Sequence, residues 1–273
     1  MTIPDGFPPA SPAIVGVPTY PAEPAAIPDG CIEAGNYSVR YARTAEDLDR
    51  VLTLRYRIFN LELGEGLDAS HGTGRDEDEL DARMHHLMIV SRQSNEVVGT
   101  YRMQTAEMAA RRGGFYSAQE FDLSLLPAEV VTDAVEIGRA GVAKEHRNGR
   151  VLSLLWRGLA EYLVWNRKHY LFGCCSLTSQ DPRLGTATHA HLQRLGAVHP
   201  TLRVTPLPGA GCDPAAPLGE APAHIPALFE SYLQLGAKVM GPPAIDRLFK
   251  TIDWLVILDV REIDPTTRRR FFR

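Results

Sequence analysis

Residues 37–43 alternate apolar and polar positions with the two-residue period of a short strand, and Thr44-Ala45-Glu46-Asp47 then has the form of a helix N-terminus. The helix it opens carries Leu48, Val51, Leu52, Leu54, Tyr56 and Phe59 at helical spacing. Two β-rich runs, 86–92 and 97–104, flank Gln93-Ser94-Asn95-Glu96 and predict a hairpin. A short helix or loop is expected at 117–126, and another strand at 134–143. After a polar break at 145–150 comes a long periodic stretch, 151–168, with Leu154, Leu155, Leu159, Tyr162 and Leu163 on one face. A strand at 171–176 and a helix at 186–195, closed by Gly196, complete a β-β-(helix)-β-α-β-α order. Beyond it the pattern predicts a helix at 225–235, a short strand at 237–241, a helical turn at 244–251 and a continuous apolar strand at 254–260.

Proline marks the stretches outside this pattern. Eight of the 20 prolines fall between Pro4 and Pro28, interleaved with Ala and Gly, so residues 1–36 are expected to form a flexible leader. Seven more lie between Pro200 and Pro226 and predict a long irregular excursion. The acidic run Arg75-Asp76-Glu77-Asp78-Glu79-Leu80-Asp81 is too hydrophilic for a core element and reads as a loop. The expected organisation is a leader (1–36), one α/β domain (37–262) and a basic-aromatic tail (263–273).

Composition narrows the class. With 44% hydrophobic and 23% charged residues over 273 positions, the chain reads as a soluble globular protein with a sizeable core. Lys+Arg 29 against Asp+Glu 33 leaves no basic footprint, which argues against a nucleic-acid partner. Its apolar runs fall far short of the roughly 20 residues that span a bilayer, and residues 1–7 lack the basic start of a signal peptide. A cytoplasmic location is therefore expected. The four cysteines form no CxxC pair, so neither a disulfide framework nor a metal is expected, and Cys174 and Cys175 read as small core residues.

Chemistry concentrates where the strand at 134–143 runs through Lys144-Glu145-His146-Arg147-Asn148-Gly149-Arg150 into the long helix. A polar turn at a helix N-terminus aims backbone N–H groups and the positive end of the helix dipole at an anion, typically phosphate. Arg147 and Arg150 add charge to it. In the strand before this turn, Glu136 and Arg139 lie three apart, so a regular strand would point them to opposite faces. A bulge at Gly138 would re-aim one of them and expose backbone N–H groups beside a site.

The series Arg55-x-x-x-Phe59, Asp78-x-x-Asp81, Gly99-x-x-Arg102 and Glu136-x-x-Arg139 resembles the signature of the acyl-homoserine-lactone synthases, which share the fold of the GNAT N-acyltransferases. A closer resemblance is to the ornithine-lipid synthase family, the L-ornithine Nα-acyltransferases often labelled hemolysin-like. It rests on Gly99-Thr100-Tyr101-Arg102, on 115–122 (Phe-Tyr-Ser-Ala-Gln-Glu-Phe-Asp), on Glu136-Ile137-Gly138-Arg139-Ala140, on Leu155-Trp156-Arg157-Gly158-Leu159 and on Pro243-Ala244-Ile245-Asp246. In order and spacing these blocks cover the chain from about residue 37 to its end.

The resemblance implies a GNAT-like fold, a central mixed, mostly antiparallel sheet flanked by helices. It also implies transfer of a fatty acyl group, often 3-hydroxylated, from acyl carrier protein to the α-amine of an amino acid such as ornithine. No bound cofactor is expected. The turn His146, Arg147, Asn148, Gly149 and Arg150 would hold the phosphopantetheine of the carrier-bound thioester; His146 at the usual Arg/Gln position and the single Gly149 favour carrier protein over coenzyme A. Glu136 would act as base, with Arg102 and Arg139 on the substrate carboxylate. Phe59 would line the acyl or amine pocket and Arg55 order the acidic loop. Asp78 and Asp81 would either order that loop or bind ornithine's second amine. Arg268-Arg269-Arg270-Phe271-Phe272-Arg273 would contact anionic membrane or the acidic carrier.

Several alternatives stand beside this reading. They are an N-acyl amino acid synthase for glycine or lysine, a homoserine-lactone-type signal synthase, and a non-enzymatic acyl-carrier or membrane-binding module. His71-x-x-x-x-Asp76 also matches the His–Asp pattern of glycerolipid O-acyltransferases, without that family's accompanying phosphate motif. Glu136, Arg139 and Arg102 together favour an enzyme.

Overall fold

The computed structural model describes residues 20–111, 113–212 and 225–272. Among these a nine-stranded sheet runs β1 (Ile32–Ala34), β2 (Tyr37–Tyr41), β3 (His85–Ser91), β4 (Val97–Thr105), β5 (Ala134–Val142), β6 (Tyr170–Leu177), then β9 (Thr251–Asp259) and β7 (Lys238–Val239), with β8 (Ala244–Asp246) also on β9. Neighbouring strands are antiparallel except β5 and β6, which pair in parallel from Ala134↔Tyr170 to Glu136↔Phe172.

The helices are α1 (Ala45–Tyr56), α2 (Ser70–Thr73), α3 (Ala106–Arg111), α4 (Ala128–Thr132), α5 (Gly149–Asn166), α6 (Pro182–Arg194), α7 (Ala227–Gln234) and α8 (Pro265–Phe271). Thr44 caps α1 by accepting from the N–H of Asp47. The strand period decides which helix covers which face. Leu87 and Ile89 pack with Leu154, Leu155, Leu159 and Leu163 of α5, whereas Met88 and Val90 pack with Val51 and Leu54 of α1. On β9 the same alternation sends Trp254, Val256 and Leu258 to the α5 side and Leu255 and Ile257 to a cluster with Phe121 and Phe172.

Four expectations need correction. The leader was expected to be flexible through 36; residues 1–19 lie outside the described residues, but from Tyr20 onward the chain is packed. Ile27 is fully buried, Arg43 donates to the carbonyl of Pro28, and β1 pairs with β2. A few apolar residues dock a Pro-rich segment when they meet a ready core, which composition alone does not show. The C-terminal segment is no free tail: α8 lies on α5, with Phe271 6.1 Å from Trp156 and Arg270 bonded to Ser153. The helical turn expected at 244–251 begins as β8, because Asp246 accepts from the N–H of Leu248 and Phe249, a side-chain cap that reads like a helix start. Helix α6 starts at Pro182, four residues early, capped by Asp181.

Candidate active site

The site grows from one irregularity in β5. Arg102 pairs with Gly138 and Thr100 with Gly141, so Arg139 and Ala140 together oppose the single residue Tyr101. This is a β-bulge, and Arg139 carries it at φ 47°, a left-handed conformation uncommon for a non-glycine residue. The bulge lies one residue beyond Gly138. Because of it Glu136, Gly138 and Arg139 all line one cavity.

The same region forks the sheet. The register of β5 with β6 ends at Glu136↔Phe172, while β6 stays paired with β9 through Leu177↔Ile252. At the apex the strands are so close that a Cβ on Gly173 would lie 2.0 Å from the carbonyl oxygen of Ile137. Beyond it the fork opens into a cavity of about 280 Å³ lined by Ile137 to Ala140, Phe172 to Ser176, Trp156, Phe229, Tyr232 and Leu258. Its lining is mainly apolar, the environment of an alkyl chain. Tyr101 and Tyr232 share a hydroxyl–hydroxyl hydrogen bond at its wall.

Phe59 lines this cavity from a π-helical turn, Arg57–Glu62, that continues α1, and its ring meets Phe249 edge-on. Such turns recur at functional sites. No hydrophobic periodicity signals it in advance.

Beside the cavity, three arginines and three aspartates form one network. Arg55 contacts Asp76 at 2.7 Å and Asp81 at 2.6 Å, and Arg102 contacts Asp78 at 2.6 Å and Asp81 at 2.9 Å. The acidic run was expected to be a hydrophilic loop, yet Asp76 and Asp81 are among its most buried members. Burial alone would raise the carboxyls of Asp78 and Asp81, but the arginines outweigh it and hold both below the usual carboxylate range. Arg102, expected on the substrate carboxylate, is buried and gives Nη1 to both Asp78 and Asp81, while its Nε, at the cavity wall, has no hydrogen-bond partner. Arg139 is bound more loosely, at 3.4 Å to Asp76 and 3.5 Å to Asp78, with its guanidinium 3.9 Å from the ring of Phe249.

Glu136 is also placed differently from its expected role as base. Its carboxylate accepts four hydrogen bonds, from Gln104 Nε2 (2.7 Å), the N–H of Tyr116 (2.8 Å), the N–H of Ser117 (2.8 Å) and Ser117 Oγ (2.7 Å). A carboxylate so saturated anchors the Tyr116–Gln119 turn and is poorly placed to take a further proton. Two other carboxylates face the cavity, Glu65 and Asp253. Burial pushes the Glu65 carboxyl up, and its Oε1 accepts from Thr178.

At the helix end, Asn148 Oδ1 accepts from the N–H of Arg150 and Val151, two of the donors a phosphate would use. His146 meets Tyr37, Arg147 pairs with Glu62, and Arg150 lies against the Gly35 turn. Gly149 has open space where a side chain would stand. Thus of the five residues expected to hold phosphopantetheine, the side chains of His146, Arg147 and Asn148 are hydrogen-bonded within the protein.

Sequence reasoning missed Glu65, Glu120 and Asp253. Asp253 carried a signal, a carboxylate inside the apolar run of β9, costly unless paired or used. Cys174, read as a core residue, is half-buried and lines the cavity. The rival His71–Asp76 pair does not form: His71 meets Tyr56, and Asp76 is bound by Arg55. Among the described residues no helix is long and apolar enough to cross a membrane.

Residues 54–157 match the acetyltransferase (GNAT) domain family. The L-ornithine N(alpha)-acyltransferase of Rhizobium meliloti (strain 1021) is 31% identical, over 84% of this chain and 81% of the relative. That of Rhodobacter capsulatus is 30% identical over 87% and 95%. Among solved structures, a CoA-dependent acyl-homoserine lactone synthase, BjaI, superposes with a TM-score of 0.49 at 13% identity, covering 83% of each chain. The sheet is mixed and mostly antiparallel with helices on both faces, and the chain belongs to the L-ornithine N(alpha)-acyltransferase family, acyltransferases built on the GNAT fold.

Proposed function

We propose that this protein moves a fatty acyl group, 3-hydroxylated in the preferred substrate, from the phosphopantetheine of acyl carrier protein to the α-amine of L-ornithine, giving lyso-ornithine lipid. The observation that carries the reading is the fork between β5 and β6, with a bulge at its mouth and an apolar cavity behind it. The acyl chain occupies the cavity. Arg139 and Ala140 stand outside the strand ladder, so the bulged backbone offers an N–H to the thioester carbonyl and to the oxyanion that develops on it. The phosphate of the prosthetic group sits toward Gly149 and Arg150 at the start of α5, which directs its dipole there.

The attacking amine must be neutral. Glu65, a cavity-lining carboxylate raised by burial, takes its proton directly or through water, and general-base help of this kind is worth about 10²–10⁴-fold. Nitrogen attacks the thioester carbon, the tetrahedral intermediate collapses, and the pantetheine thiolate leaves and is protonated. Arg139, loosely paired, turns to the acceptor's carboxylate. Glu136 is a positioning residue that fixes the Tyr116–Gln119 turn. The exposed arginines of α8, beside α5, face the acidic carrier or an anionic membrane surface.

The test offers purified protein 3-hydroxypalmitoyl carrier protein with a pool of amino acids and follows N-acylated products by mass spectrometry. An acyl-ornithine product is expected, reduced at least tenfold in Glu65→Gln with folding intact. If no amine is acylated while the carrier is still bound, the enzyme reading gives way to a carrier-binding module.

A further inference from the structure

Acyl transfer to an amine leaves part of the site's charge without a task. Glu120, Cys174 and Asp253 bring one ligand atom each within 4.8 Å of one another. Asp253 faces the fork cavity, while Glu120 faces a second cavity of about 530 Å³ that also carries Asp246; Tyr116 and Arg139 line both. The acid pair thus stands in the wall between the two spaces. Glu120 and Asp253 are 6% and 3% exposed, and Oε2 of Glu120 and Oδ1 of Asp253 have no hydrogen-bond partner.

The aspartates across the site differ in being ion-paired: guanidinium groups engage all three, although Oδ1 of Asp76 also has no hydrogen-bond partner. Arg139 faces the acid pair's cavities but directs its guanidinium to Asp76 and Asp78. Burial, and then the charge of neighbouring carboxyls, pushes both Glu120 and Asp253 up. Two buried carboxyls with orphaned acceptor oxygens, on the wall of a cavity, call for a cation that brings its own donors.

We propose that Glu120 and Asp253 receive the side-chain ammonium of the acceptor amino acid, so that this pair selects a diamino acid over a neutral one. The inference rests on the acyl-transfer reading above and adds the residues that choose its acceptor. An ammonium supplies three N–H donors, enough for both orphaned oxygens. A soft metal ion fits less well, because burial and the same carboxyls push the Cys174 thiol well up and keep it from acting as a thiolate. The arrangement also gives the Glu136 anchor a purpose. The turn it holds delivers Tyr116 to the cavities and leads directly into Glu120, whose N–H bonds the carbonyl of Ser117.

The experiment compares L-ornithine with L-norleucine, which has a methyl group in place of the ammonium, in wild type, Glu120→Gln and Asp253→Asn. Turnover is measured with 3-hydroxypalmitoyl carrier protein, and binding of each amino acid is measured by calorimetry without donor. Wild type is expected to prefer ornithine at least 100-fold in kcat/KM. Each variant should cut the ornithine-to-norleucine ratio at least tenfold, mainly through KM, with a matching loss of ornithine binding. Parallel losses for both acceptors, or a wild type that does not discriminate, would overturn the assignment while leaving acyl transfer intact. Conversely, ornithine bound through the pair without any acylation would sink the transferase reading and keep this site. Discrimination abolished by EDTA and restored by Zn²⁺ would replace the ammonium with a metal.

Discussion

Replacing Asp81 by Asn tests whether the buried charge network is the scaffold of the site. Asp81 is 1% exposed and bridges two guanidinium groups, Arg55 at 2.6 Å and Arg102 at 2.9 Å. Removing one member of a buried ion pair costs about 3–5 kcal/mol, because the other charge stays buried without compensation. Here Arg55 keeps Asp76 and Arg102 keeps Asp78, so the lower end, about 3 kcal/mol, is expected. At about 2–4 °C per kcal/mol for a chain of this size class, the thermal midpoint should fall by about 6–12 °C. Asp78→Asn is the control. Its side chain is 17% exposed against 1% for Asp81, so water screens part of its pairing with the buried Arg102 and it should lose less than Asp81→Asn. Urea unfolding at pH 7, followed by circular dichroism, reads both, and the urea dependence should keep its slope. The sign in acid follows from the lowered carboxyl. Asp81 contributes stability that is complete above the ordinary carboxylate range and is lost only as pH falls through its lower native value, so wild type should lose stability in acid more steeply than Asp81→Asn. An Asp81→Asn protein within 1 kcal/mol of wild type, or no more affected than Asp78→Asn, would refute the reasoning.

The acid pair titrates with the opposite sign. Because its carboxyls are raised in the native state, Asp253 to about 6, their contribution is complete below the ordinary carboxylate range and is lost as pH rises. Thermal scans at pH 5 and pH 8.5 without substrate should therefore show Glu120→Gln gaining on wild type at the higher pH; an unchanged gap would contradict it. Gly173→Ala should abolish acyl transfer and lower the thermal midpoint, since its Cβ would meet the Ile137 carbonyl at 2.0 Å and force the apex apart; normal kcat/KM would show that the apex tolerates widening. Asn148→Ala should cost about 1 kcal/mol in urea unfolding through loss of the α5 cap. It also frees two N–H groups, so KM for the carrier thioester should not rise more than the stability loss explains; a large rise would place Asn148 on the donor itself.

Much of the fold was legible because alternation and helical periodicity report which positions are buried. Leu154, Leu155, Leu159, Tyr162 and Leu163 lie under α5 as the pattern requires, and the 97–104 run pairs in the hairpin. What escaped was structure made by single side chains. Asp246 caps a turn after a strand and Asp181 caps a helix before a proline, yet both use the same Asx chemistry, so sequence alone exchanged turn for helix at one and lost four residues at the other. In the site, charge pattern located the members of the network but not their partners. Arg102 and Asp81 were both marked, while their bond to each other depends on the path of the acidic run through the interior.

The bulge explains why charge is divided this way. In an unbroken β5, Glu136 and Arg139 would face opposite sides of the sheet, and the fork would have no exposed backbone N–H at its mouth. With Arg139 at φ 47°, its guanidinium turns toward the aspartates and lies on Phe249, while Glu136 turns to the Tyr116–Gln119 turn. Beside the cavity, the charges of three arginines and three aspartates offset one another within the protein. Next to it, the anchored turn holds Glu120 against Asp253, each with one oxygen unpaired, and there the charge is met by a held proton or by the cation of a ligand. One backbone irregularity therefore separates charge that holds the fold from charge left for a ligand, with the thioester site between the two.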